Sequence, residues 1–321
     1  MDPRLAVTLG DPAGIGPEVV LKALASPKRP AADLVVYGSG AALEACARRL
    51  GLRSLSDLRV PLVDVGGAAV PLGRPSAAGG RAAAEAVLCA ARDAGKGLLA
   101  GLVTAPLNKE ALHLAGYPWP GHTEMLAEAA GTPDVAMMFV GGGLRVVLLT
   151  IHQSLRSVPD AITPERVTRI VRLVHRELPR LGARGTIAVC GVNPHASENG
   201  LLGGEENAVL EPTLRALRAE GIDLFGPAPA DSLFVRAARG EFAAVIAAYH
   251  DQGLVPVKLA AFGHAVNVTI GLPFVRTSVD HGTGFDIVER GVASETSLLE
   301  AMRVAVELSG AGAGRPPAAR V

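Results

Sequence analysis

The chain has 321 residues, of which 49% are hydrophobic and 19% charged, a core-forming composition that excludes a disordered protein. Lys and Arg total 31, and Asp and Glu also total 31, so there is no basic excess of the kind a nucleic-acid binder shows. No stretch reaches the ~18 apolar residues of a membrane span, and the apolar run near the start is too short for a signal peptide.

In chain order, short apolar runs alternate with amphipathic ones. Residues 5–9 and 33–38 read as strands, each followed by a helix; Pro17 and Glu18 open the first. An Ala-rich helix covers 79–94. Further strands are predicted at 97–104, 143–150, 185–191, 242–249 and 265–271. Helical stretches fall at 163–180, 205–220, 232–240 and 295–309. Near-continuous apolar strands between helices predict an α/β fold with largely parallel sheets. The Gly/Pro/Ala-rich tail after 309 is predicted to fray. Cys46, Cys89 and Cys190 are widely spaced and form no disulfide framework, which fits a reducing cytoplasm.

Three histidines share a context: His152, His195 and His250 each sit at or just past the C-terminal end of a predicted strand. That edge of an α/β sheet is where ligands collect. Three neutral imidazoles converging there would leave open positions on a metal ion. Their spacing matches no local metal motif, so convergence is a tertiary expectation, and each alone also reads as a loop residue. Asp251 and Gln252 could support His250 or simply begin a helix. His113 and His175 read as helix-surface residues.

TLGDPAGIGPEV (8–19) joins the first strand to a helix. Its backbone N–H groups suit an anion; the alternative is a tight turn. No Lys-Ser/Thr follows, so it is no Walker loop, and Val19 stands where a dinucleotide fingerprint needs its third Gly. GSGAAL (38–43) also lacks that Gly. TAPLNKE (104–110) sets Lys109 at a helix start. GHTEM (121–125) brings His122 and Thr123; Thr123 could instead be an N-cap. Lys258, Asn267 and Arg276 suit a phosphate or carboxylate or surface ion pairs. DHGTGFDI (280–287) is a Gly-rich polar loop.

Taken together, GDPAGIGPE, TAPLNKE, GHTEM, NPHA, YHDQG, the spaced Lys258, Asn267 and Arg276, and RTSVDHGTGFDI resemble the 4-hydroxythreonine-4-phosphate dehydrogenase family of pyridoxal phosphate biosynthesis, over about residues 4–309. The resemblance implies an isocitrate/isopropylmalate dehydrogenase-like fold of two α/β/α domains with a cleft between them. Residues 1–117 with 259–321 would form a discontinuous cofactor-side domain, and 118–258 a central domain carrying the interface of a homodimer. It implies one divalent ion (Zn, Co, Mg or Mn) on His152, His195 and His250, supplied from both subunits. Substrate would lie on His122, Thr123, Lys258, Asn267 and Arg276, and NAD or NADP near His281, Gly282, Thr283 and Asp286. Asp251 and Lys109 are candidates for the general base. The implied reaction is oxidation and decarboxylation of 4-phosphohydroxy-L-threonine by a cytoplasmic enzyme. Alternatives are a dehydrogenase of D-threonate or D-erythronate 4-phosphate, or a non-catalytic phosphometabolite-binding protein. Two departures stand out: Ser197 and Asn199 replace glycines frequent in relatives, and VERGVA replaces the usual segment after FDI.

Overall fold

The computed structural model describes residues 2–67 and 70–311. The frayed tail expected from composition lies, from residue 312 on, outside them. The chain forms two compact units, 1–133 with 272–321, and 134–271. The boundaries drawn from sequence, after 117 and after 258, fall elsewhere. GHTEM therefore belongs to the first unit, and Lys258 and Asn267 to the second. No helix among the described residues is long and apolar enough to cross a membrane.

The first unit opens with β1 (Arg4–Thr8), α1 (Gly16–Ala25), β2 (Asp33–Gly38), α2 (Gly40–Leu50), α3 (Leu55–Leu58), β3 (Leu62–Asp64), α4 (Ala77–Gly95) and β4 (Gly101–Thr104). Two short helices follow, α5 (Lys109–Leu114) and α6 (His122–Ala129). Helix starts obey local chemistry. The Ser39 and Ser76 hydroxyls accept the N–H of Ala42 and Gly79, satisfying amides that an α-helix leaves without partners. Gly80 lets α4 and α5 touch, because a Cβ there would sit 1.9 Å from the Ala111 carbonyl oxygen.

The second unit begins with β5 (Ala136–Gly141) and β6 (Leu144–Leu148), an antiparallel hairpin. Its two turn residues, Gly142 and Gly143, have φ of 57° and 80°, the left-handed pair that matches strand twist. Sequence reading missed β5. Then come α7 (Val158–Ala161), α8 (Pro164–Glu177), β7 (Ile187–Cys190), α9 (Glu211–Ala219), β8 (Leu224–Ala228), α10 (Ala230–Ala238), β9 (Ala244–Ala247), α11 (His250–Ala261) and β10 (Val266–Ile270). The strand order is β10-β5-β6-β9-β7-β8. Its first two pairings are antiparallel and the rest parallel, so this sheet is more mixed than predicted. Phe139, Val146, Leu148, Val245, Leu254 and Val257 meet in its core.

The chain then re-enters the first unit with β11 (Val275–Ser278) and α12 (Thr296–Ala311). The unit's strands run β3-β2-β1-β4-β11, every pairing parallel. Leu5, Val7, Val35, Leu102 and Val103 are wholly buried or nearly so, as strands covered on both faces require.

Candidate functional site

In the second unit, β6 and β9 are parallel neighbours, and the residues after each carry His152 and His250. The two imidazole rings lie 5.8 Å apart, inclined by 43°. They share a cavity of about 570 Å³ with Ile151, Gln153, Tyr249 and Asp251. His250 Nδ1 is 2.7 Å from Asp251 Oδ1, a carboxylate contact that fixes the ring and leaves Nε2 for another partner. Gln252 ties this turn down: its Oε1 accepts the Ala248 N–H at 2.7 Å, and its Nε2 donates to the Gly191 carbonyl at 2.8 Å.

His195 stands apart from that pair. Residues 195–199 have φ of 54°, 49°, 66°, 46° and 58°, a left-handed turn built without glycine, each residue costing roughly 1–2 kcal/mol. Glu206, buried, grips the root of this turn. One of its oxygens accepts the N–H groups of Val192 and Asn193 at 2.7 and 2.8 Å, and the other accepts Asn193 Nδ2 at 3.0 Å. Among the described residues no three His, Cys, Asp or Glu side chains are grouped to hold an ion. Two imidazoles, one oriented by a carboxylate, are nitrogen donors of the kind a borderline divalent ion takes. The structure gathers two thirds of the expected trio.

Lys258 lies exposed in the last turn of α11, and Asn267 is half-buried on β10 opposite Phe139. The Asn267 Oδ1 is covered and has no hydrogen-bond partner, a cost that a bound donor would remove.

In the first unit, Arg276 on β11 is 2% exposed. Its Nη2 donates to Thr104 Oγ1 at 2.8 Å, on the neighbouring strand β4. Burial lowers its pKa to about 10, with the Glu124 carboxylate acting the other way. His122 is the first residue of α6 and half-buried, yet its Nε2 is covered and has no partner. Burial, and then the Arg276 charge, hold this imidazole well below the usual histidine range and therefore neutral. Thr123 is not the N-cap that the sequence allowed: Gly121 holds that position, and Thr123 is already the second helical residue. Lys109 opens α5 and is exposed, with Asn108 as the cap.

The GDPAGIGPE segment turns out to be a turn and not an open anion cradle. The N–H groups of Asp11, Gly14 and Ile15 bond to the carbonyls of Pro106, Asp11 and Thr283. That of Ala13 goes to Asp11 Oδ1 at 2.9 Å. Burial raises the pKa of Asp11, against that bond. In the loop after β11, His281, Gly282 and Asp286 are exposed while Thr283 is buried. Sequence reasoning gave no role to Thr104, Glu206 or Asn193. Thr104 could have been found from its place at a strand end; Glu206 has no signal in the sequence.

The family model described as pyridoxal phosphate biosynthetic protein PdxA matches residues 30–305. The 4-hydroxythreonine-4-phosphate dehydrogenase of Chromobacterium violaceum is 47% identical, over 96% of this chain and 97% of that protein. The D-threonate 4-phosphate dehydrogenase of Cupriavidus necator is 46% identical, with the same coverage of each chain. The crystal structure of the Klebsiella pneumoniae 4-hydroxythreonine-4-phosphate dehydrogenase superposes with a TM-score of 0.89 at 38% identity, over 96% of this chain and 99% of that one. Near full-length likeness in sequence and fold, together with the family match, has one consequence: this chain belongs to the pyridoxal phosphate biosynthetic protein PdxA family.

Proposed function

We propose that this chain is the dehydrogenase that oxidises 4-phosphohydroxy-L-threonine to 2-amino-3-oxo-4-phosphohydroxybutanoate, using NAD or NADP and a divalent ion. The supporting observation is a family match over most of the chain, residues 30–305, which spans every site residue that the resemblance names. The substrate's secondary alcohol loses a hydride to the nicotinamide and a proton to a base, becoming a ketone. The bond to the carboxylate then breaks; CO₂ leaves and the ketone takes the electron pair, so 3-amino-2-oxopropyl phosphate results after protonation.

His152, His195 and His250 would hold the ion, and the 281–286 loop, whose His281, Gly282 and Asp286 are exposed, the dinucleotide. A bound ion supplies Lewis acidity toward the alcohol, and the nicotinamide supplies the hydride acceptor. Arg276 presents a desolvated guanidinium to an anionic group of the substrate, its plane held by Thr104. His122, neutral, offers a hydrogen bond without adding charge beside Arg276. Thr123, Lys258 and Asn267 would complete the substrate's polar contacts. Asp251, one of two base candidates, is suited by its bond to His250 to orient that ring; Lys109 is the other.

The protein acts as a homodimer in this reading, the three histidines being contributed from both copies. What supports it is an apolar ridge at the end of α11: Val255 and Leu259, one helical turn apart on one face, and the capping residue Phe262 are 62%, 71% and 84% exposed. Phe262→Asp is expected to convert dimers to monomers in sedimentation; an unchanged mass removes this ridge from the interface.

The deciding experiment follows reduced-nicotinamide formation by the metal-loaded protein on 4-phosphohydroxy-L-threonine and on D-threonate and D-erythronate 4-phosphates, with NAD and NADP. Preference for the amino substrate is expected. Preference for an aldonate phosphate moves the enzyme to the branch of the Cupriavidus relative. Tight binding without turnover makes it a phosphometabolite-binding protein.

A further inference from the structure

We propose that Glu18 and Lys22 of α1 are positioning residues for the dinucleotide: they latch the far end of the loop that presents His281, Gly282 and Asp286. This rests on reading residues 281–286 as the dinucleotide loop.

Between β11 and α12 the chain runs from Val279 to Glu295 without a helix or strand. A loop that long either carries function or costs ordering entropy for nothing. Here it is anchored at successive points, and the anchors come from the first fifty residues. Near its start, the Ile15 N–H donates to the Thr283 carbonyl at 2.9 Å. The contact is so close that a Cβ on Gly14 would lie 2.5 Å from that same oxygen. In the middle, Arg49 Nη2 reaches the Val288 carbonyl at 3.4 Å.

At the far end sits the latch. Lys22 Nζ donates to the carbonyls of Gly291 and Ala293, both at 2.8 Å, and to Glu18 Oε1 at 2.7 Å. The same Glu18 oxygen accepts the Ala293 N–H at 2.9 Å. Glu18 is 1% exposed and Lys22 22% exposed, so this ion pair is shielded from water and keeps its directionality. One acid and one base thus satisfy three backbone groups of a loop 269 or more positions away.

The pattern of exposure gives the latch its purpose. Thr283, Val288 and Ala293 are buried, whereas His281, Gly282 and Asp286 between or beside them face outward. The backbone is fixed and the tip side chains are left to meet a ligand, which is preorganisation. With the latch opened, the nucleotide itself has to order the loop, so its affinity falls while binding of the phosphorylated substrate changes little. The GDPAGIGPE motif and Lys22 then act as the bracket of a site, not as its surface.

The test uses the full-length protein and three variants: Lys22→Met, the double variant Glu18→Gln/Lys22→Met, which leaves no buried charge alone, and Lys22→Arg as the conservative replacement. NAD and NADP are titrated calorimetrically without substrate, and amide hydrogen exchange is followed over 283–293. We expect nucleotide Kd to rise at least tenfold in the Met variants, with faster exchange over 283–293 and the KM for 4-phosphohydroxy-L-threonine changed less than threefold. Lys22→Arg should recover most of the affinity. If Lys22→Met fails to fold, the double variant decides. Faster exchange with unchanged Kd overturns the positioning role, and unchanged exchange overturns the latch. A wild-type protein that binds neither nucleotide overturns instead the reading of residues 281–286 on which the proposal stands.

Discussion

Two strand-to-helix connections in this molecule solve the same problem in opposite ways. After β1, residues 10–15 turn with a glycine at the left-handed position, Gly10 at φ 70°, and the N–H groups of residues 11, 13, 14 and 15 are bonded within the protein. After β7, residues 195–199 make a left-handed turn from His, Ala, Ser, Glu and Asn. The first connection is relaxed and carries no exposed chemistry of its own. The second is strained, and it displays an exposed imidazole. Strain survives only where surrounding contacts over-determine it, and the three hydrogen bonds accepted by Glu206 do that. The contrast teaches that the bracket is built cheaply and that stored strain is reserved for the displayed side chain.

The largest effect that can break this contrast is on turnover. His195→Ala is expected to lower kcat more than a thousandfold while thermal melting stays cooperative, because the side chain is exposed and contributes little packing; retained activity removes His195 from the site. Next comes a stability change in the relaxed turn. Gly10→Ala puts a Cβ 2.2 Å from the Pro106 carbonyl oxygen, so urea titration should show a loss of about 3 kcal/mol, overpacking and left-handed strain together. The strained turn predicts the opposite sign: Ala196→Gly should stabilise the protein by about 1 kcal/mol, and a loss there means that the turn is not strained.

The smallest effect is a pH dependence in the other unit. The folded-state pKa of His122 is depressed, by burial and then by Arg276. The unfolded state therefore binds more protons below pH ~6.5, and stability falls as pH drops through that value. His122→Gln should flatten this part of the acid limb in denaturation series between pH 7 and 5. An unchanged slope assigns the limb to other groups.

Much of this was legible in the sequence, for identifiable reasons. β2 runs over the predicted 33–38 because its apolar run is bounded by Asp and Gly. His152 and His250 were placed at strand ends by the runs before them, and those strands proved to be neighbours. What stayed hidden depends on long-range partners. The hairpin of β5 is announced only by Gly142-Gly143, a turn signal that does not by itself mark the strand before it, while the continuous apolar run of β6 reads equally well as a parallel strand. Thr123 reads as a cap because the true N-cap, Gly121, two residues before it, offers no side chain to do the task. The 195–199 conformation has no glycine to announce it, and its support, Glu206, lies eleven residues beyond His195 in a segment that reads as ordinary amphipathic helix.

The glycine at 253 in α11 has its own consequence. A Cβ there would stand 2.6 Å from Leu148 Cδ2 and 3.0 Å from both Ala247 Cβ and Val146 Cγ1. The helix axis therefore rides as low on β6 and β9 as a backbone can. His250 starts that helix and Phe262 caps its end, so a single missing methyl sets the height of both. It works as a spacer of zero thickness: any side chain added there lifts the imidazole at one end and the apolar ridge along the other by the same mechanical act.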